Sequence, residues 1–113
     1  MTAYEPEAGD LVWTDFDPRL GREQAGRRPA LVVSPIAFWR ATGFAFLAPI
    51  TGRVRPFPSS AVLPPGAKVS GEILLAQTRS VDTLARPLLP TGESVSAELL
   101  AEARAKLALL LGM

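Results

Sequence analysis

The sequence predicts a mainly β fold, a small twisted β-barrel with one C-terminal α-helix. Short segments rich in branched and aromatic residues recur along the chain, each bounded by glycine, proline or charge. The hydrophobic period changes once, near Ser96, to a helical stripe. At 113 residues and 48% hydrophobic, the chain suits one compact domain over residues 1–113, of a size that often gains from dimerising.

GDLVWTDF (9–16) alternates Leu11 and Trp13 against Val12 and Thr14 and reads as the first strand. Asp17 and Pro18 break it, and PRLGREQAGRRP (18–29) is a loop. It is long for a link between strands, which marks it as functional or disordered. ALVVS (30–34) is a second, buried strand, and GFAFLAPI (43–50) a third, with Phe44, Phe46 and Ala48 on one face and the two phenylalanines read as core. Between them PIAFWRATG is a connection holding two adjacent aromatics. TGRVRPFPSS (51–60) is a basic, turn-like segment, SAVL (60–63) a short strand, PPGAKVSG (64–71) a turn and EILLAQ (72–77) a central strand. RSVD and LARPLL supply the last short strands.

The tail, about 96–111, is the helix. Leu99, Leu100, Ala103, Leu107, Leu110 and Leu111 form its apolar stripe, with Glu98, Glu102 and Lys106 on the other face. Ser96 is placed as N-cap, Glu98 lies in the first turn and Gly112 ends the helix.

Composition removes several chemistries. The chain has no cysteine and no histidine, which excludes disulfides, thiolate nucleophiles, imidazole acid/base catalysis and zinc sites of the usual ligand types. No apolar run approaches the ~20 residues that span a bilayer, and the acidic N-terminus is unlike a secretory signal, so a cytoplasmic protein is expected. The net charge of +1 conceals a strong asymmetry. Residues 1–17 carry five acids and no base, whereas residues 18–60 carry Arg19, Arg22, Arg27, Arg28, Arg40, Arg53 and Arg55 against Glu23 alone. Guanidinium forks bind phosphate bidentately and stack on bases, so this segment suits a nucleic acid; the alternative is arginines that merely solubilise loops.

Arg28 ends the long loop and Thr51 follows the third strand, so antiparallel pairing of the second and third strands brings them to one rim. A guanidinium beside a hydroxyl can hold a phosphate and stabilise charge developing on it. A surface ion pair with Asp15, Asp17 or Glu23 is the competing reading for Arg28, and a turn cap on its own backbone is the competing reading for Thr51. Glu23 is a candidate base. Asp15 and Asp17 suit magnesium or, more commonly, neighbouring arginines. Trp39, beside Arg40, is the best candidate for an exposed ring, for a stacked base or for a dimer interface.

The segments GDLVWTDFDP (9–18), EQAGRRPALVVSP (23–35), LAPIT (47–51) and LLAQTRSVD (74–82), in that order and followed by a helical tail, resemble the MazF/PemK toxins of bacterial toxin–antitoxin systems. The resemblance implies a homodimeric SH3-like barrel of the MazF/PemK/CcdB type that cleaves single-stranded RNA at short sequences without a metal or other cofactor. It also implies a cognate MazE-like antitoxin whose acidic C-terminal tail fills the RNA groove. The family's catalytic arginine falls on Arg28, its threonine on Thr51 and its loop glutamate on Glu23. The candidate RNA-binding residues are Arg19, Arg22, Arg27, Trp39, Arg53, Arg55, Gln77 and Arg79. Arg27 stands where some relatives carry histidine, and Ala76 where several carry an acid, so any proton-transfer role at those positions is lost here. The competing function is a non-catalytic toxin of the same barrel type, like the gyrase-poisoning CcdB toxins; a third is a plain RNA-binding barrel.

Overall fold

The computed structural model describes residues 4–16 and 27–113. Its elements are β1 (Asp10–Asp15), β2 (Arg27–Val32), α1 (Ile36–Thr42), β3 (Phe44–Thr51), β4 (Ser60–Val62), β5 (Glu72–Leu74), β6 (Arg79–Asp82), β7 (Leu89–Ser94) and α2 (Ala97–Leu110), with a 3₁₀ turn at Leu75–Gln77. The strands form one antiparallel sheet ordered β4-β5-β3-β2-β1-β7, and β6 also pairs with β3. On one edge of β3, Phe44 to Leu47 pair with β6 and Ile50 and Thr51 pair with β5. That change of partner curls the sheet, giving the mainly β fold with a C-terminal helix expected from the sequence.

The period-2 alternation of strands sends successive side chains to opposite faces. Leu11, Leu31, Ala48, Ile50, Ile73 and Leu75 form one buried cluster, against which Trp13, Leu99 and Leu107 pack. Val12, Phe16, Ala30, Val32, Ala45, Leu47 and Val81 form the other. In α2, Ala103 is fully buried in the first cluster, and the Ser96 hydroxyl accepts the Leu99 amide at 3.1 Å as the expected N-cap. Leu110 and Leu111 are exposed, so only the first part of the predicted stripe reaches the core.

Several sequence expectations are corrected. PIAFWRATG is not a plain connection: residues 36–42 form α1. A helix this short does not sustain itself. Distant groups hold it: Glu7 Oε1 accepts the Ile36 amide at 3.2 Å, Trp39 Nε1 donates to Thr83 Oγ1 at 2.9 Å and Arg40 pairs with Glu5 at 2.8 Å. Phe44 and Phe46 share a face, but it is the outer one; Ala45 and Leu47 take the interior, and Phe46 stacks on Phe38 at 5.2 Å.

The segment 72–77 is neither central nor wholly extended. β5 lies one strand from the sheet edge and stops at Leu74, because the Thr78 amide and hydroxyl both return to the Leu75 carbonyl, at 3.1 and 2.7 Å. The final strand is Leu89–Ser94 rather than LARPLL; its polar sequence lacks a hydrophobic period, and pairing with β1 at Val12↔Pro90 and Trp13↔Leu89 creates it. β2 also begins earlier than expected, at Arg27, and Thr51 is the last residue of β3 rather than the first beyond it.

Candidate active site

The ladder between β2 and β3 runs from Val32↔Leu47 to Ala30↔Pro49. Pro29 and Pro49 have no amide hydrogen to donate, and this ladder ends at the Ala30↔Pro49 pair. Past that point the same register sets Arg28 opposite Thr51. Both line a cleft of about 270 Å³ whose other walls are Phe16, Pro49, Ile50, Leu74, Gln77 and Arg79. The sequence argument for one shared rim therefore holds.

Arg28 is half-buried in β2, cross-strand from Thr14 on β1. Among the described residues its guanidinium enters no ion pair, since the bridges there join Arg40 to Glu5 and Lys106 to Glu102. Arg79 supplies a second cation to the cleft, with its guanidinium carbon 5.3 Å from the centre of the buried Phe16 ring. The Thr51 hydroxyl oxygen accepts the Arg53 amide at 3.2 Å, which leaves its proton free to donate. It is thus both the turn cap and the cleft residue that the sequence offered as alternatives. Two guanidinium groups, a hydroxyl and the Gln77 amide around one opening can grip a phosphate and neutralise added charge on it.

Behind Thr51 stands a residue that sequence reasoning missed. Glu72 is the ladder partner of Thr51 and is fully buried. Its carboxylate accepts the Arg55 amide at 2.7 Å and the Phe57 amide at 3.0 Å. The Arg55 amide, then the Phe57 amide and the Ser60 hydroxyl, hold this carboxyl below the usual glutamate range, against burial, which acts in the other direction. The available signal was one acid between Gly71 and the apolar run ILLA, at the start of a strand with no other charge. Gly71 itself has φ +130°, and a Cβ there would lie 2.1 Å from the Thr51 carbonyl oxygen.

A family model for the PemK-like, MazF-like toxins of type II toxin–antitoxin systems matches residues 7–111. This chain belongs to the PemK/MazF toxin family. It is 38% identical over 112 residues to the endoribonuclease toxin MazF of Escherichia coli K12, covering 99% of both proteins. It is 34% identical over 85 residues to an Escherichia coli endoribonuclease PemK, covering 71% of this chain and 63% of that one. Among solved structures, MazF from Deinococcus radiodurans superposes with a TM-score of 0.87 at 44% identity, covering 97% of this chain and 99% of that one. A MazE–MazF complex from the same organism gives 0.86 at 42% identity, with the same coverage of both chains.

Within this PemK/MazF fold the predicted site residues separate into groups. Arg28, Thr51, Gln77 and Arg79 meet in the cleft. Arg53 and Arg55 are exposed on the adjoining segment after β3, outside the cleft lining, and Arg27 is exposed at the start of β2, opposite Asp15. Trp39 is half-buried on α1, bonded to Thr83, and does not line the cleft. Arg19, Arg22 and Glu23 lie outside the described residues, as does Asp17. No group of three or more acidic side chains placed to hold a metal ion occurs among the described residues.

Proposed function

We propose that this chain is a sequence-specific endoribonuclease toxin that cleaves single-stranded RNA with no metal ion, through attack of the substrate's own 2′-hydroxyl. The observation that carries the reading is the meeting of Arg28 and Thr51 across the cleft, in a family whose relatives include endoribonucleases MazF and PemK. The 2′-oxygen forms a bond to phosphorus and loses its proton to a base. The bond to the 5′-oxygen breaks, and that oxygen leaves with a proton, giving 2′,3′-cyclic phosphate and 5′-hydroxyl ends. Because the RNA supplies the nucleophile, the protein has only to position it and offset charge on the phosphorane.

Arg28 faces the non-bridging oxygens, and Thr51 donates its free proton to one of them. Arginine stays protonated in proteins and is no base, which leaves Glu23 as the candidate acceptor. Glu23→Gln should lower the single-turnover rate and flatten its pH dependence. RNA carrying a 2′-deoxy nucleotide at the cut position tests the reaction class. Loss of that cut alone is expected; continued cutting there overturns 2′-hydroxyl attack.

Two partners accompany the reading. The first is a cognate MazE-like antitoxin whose acidic C-terminal tail occupies the same cleft, supported by the MazE–MazF complexes of similar fold and by Arg28 and Arg79 in the cleft, with Arg53 and Arg55 beside it. Its affinity should fall as salt rises and should compete with RNA. The second is another copy of the chain. An apolar groove of about 720 Å³, lined by Phe38, Phe46, Leu75, Leu107, Leu110 and Leu111, adjoins the cleft through Arg79. Sedimentation at micromolar concentration should show a homodimer, and a monomer there contradicts it. No helix among the described residues is long and apolar enough to cross a membrane, and the site of action we assign is the cytoplasm.

A further inference from the structure

The segment from Gly52 to Pro58 is exposed at every residue and has no helix or strand of its own. Nevertheless it carries Arg53, Arg55 and Phe57, all within six residues of Thr51. Its fixation traces to one ladder pair. The Arg53 amide goes to the Thr51 hydroxyl at 3.2 Å, the Arg55 amide to Glu72 Oε1 at 2.7 Å and the Phe57 amide to Glu72 Oε2 at 3.0 Å. Alternate amides of the segment thus land on the side chains of Thr51 and Glu72, which face each other across β3 and β5, and its far end is also held by the Ser60 amide, which donates to the Phe57 carbonyl at 3.0 Å.

A fully buried carboxylate is costly unless its oxygens are satisfied. Those of Glu72 take backbone donors from the basic segment, the Arg55 and Phe57 amides. A carboxylate is suited to this because it only accepts; a carboxamide in the same place would turn an N–H toward an N–H. We propose that Glu72 is the positioning residue of this site, a buried anchor that fixes the basic segment 53–57 at the rim of the cleft and so sets RNA affinity and the choice of cut. Glu72 touches no substrate; it acts through the backbone of Arg55 and Phe57. The consequence for RNA rests on the endoribonuclease reading, whereas the anchor itself does not.

The test measures amide hydrogen exchange and RNA cleavage on the full chain, wild type beside Glu72→Gln and Glu72→Asp. In Glu72→Gln, exchange at Arg55 and Phe57 should quicken by about tenfold or more while the amides of β2 keep their protection. KM for a mixed-sequence RNA should rise about tenfold and cuts should spread beyond the wild-type motif, with the single-turnover rate at saturating RNA within about threefold of wild type. Glu72→Asp, which keeps the charge but loses reach, should fall between the two and keeps the question answerable if Glu72→Gln does not fold. Unchanged exchange at Arg55 and Phe57 overturns the anchor. Faster exchange with unchanged KM and cut sites overturns the positioning role and leaves Glu72 merely structural. Wild-type protein that cuts no RNA defeats the functional reading instead, and the exchange result stands apart from it.

Discussion

Gly71→Ala isolates the packing that holds Thr51 in place. The new Cβ would begin 2.1 Å from the Thr51 carbonyl oxygen and 2.9 Å from its carbonyl carbon. Gly71 has little room to withdraw: its own carbonyl accepts the Leu63 amide at 2.9 Å, and the next residue, Glu72, pairs with both Thr51 and Val62. Opening the oxygen contact to 3.0 Å therefore displaces the end of β3 by about 0.9 Å. A displacement near 1 Å at a group that must meet a reacting phosphate costs about 10²-fold in rate. The left-handed backbone, φ +130°, adds strain of about 1–3 kcal/mol.

Gly66 provides the control, because it too has positive φ, +95°, but a Cβ there meets nothing within 4 Å. Gly66→Ala should lose stability through backbone strain alone and keep a single-turnover cleavage rate within about twofold of wild type. Gly71→Ala should lose about 2–4 kcal/mol, a fall in Tm of about 10 °C or more, together with the 10²-fold rate loss at a temperature where it remains folded. If the two variants cleave RNA equally well, the placement of Thr51 by this contact is wrong.

Three further outcomes follow from other parts of the structure. Thr51→Val keeps the shape and removes the hydroxyl, so the single-turnover rate should fall by about 10-fold or more, and exchange at the Arg53 amide should quicken because its acceptor is gone. The lowered carboxyl of Glu72 makes a stability contribution that is fully present above the ordinary glutamate value of 4.5 and is lost as pH falls through its lower native value. The Tm gap between wild type and Glu72→Gln should accordingly be constant near neutrality and close in acid. Ser96→Ala removes the acceptor for the Leu99 amide and should cost about 1 kcal/mol in thermal melts, with cleavage unchanged.

The parts of the fold legible in the sequence were those whose causes are local. Alternation in LVWTD and ALVV, the Ser96 cap and the Leu99/Ala103/Leu107 spacing each encode their element directly. Helix α1 was not legible because Glu5, Glu7 and Thr83, all remote in sequence, supply its support. Phe44 and Phe46 read as interior residues because large apolar side chains usually lie there; alternation alone leaves the choice of face open, and it is Ala45 and Leu47 that are buried. At the site, pairing of neighbouring strands sufficed to bring Arg28 to Thr51, whereas the place of Arg79 in the cleft follows from the unforeseen turn at Leu75–Gln77. Glu72 was not legible because its donors, the Arg55 and Phe57 amides, lie 17 and 15 residues away in sequence, and only the return of that segment over it makes it buried.

The most direct test of the account is cleavage of a long mixed-sequence RNA in excess EDTA by wild-type protein and by Arg28→Ala, with every new end mapped and its chemistry assigned. The account predicts cuts at one short motif bearing 5′-hydroxyl and 2′,3′-cyclic phosphate ends, reduced by about 10²–10³-fold in the variant. Intact RNA with folded wild-type protein, or equal cutting by both proteins, would contradict it.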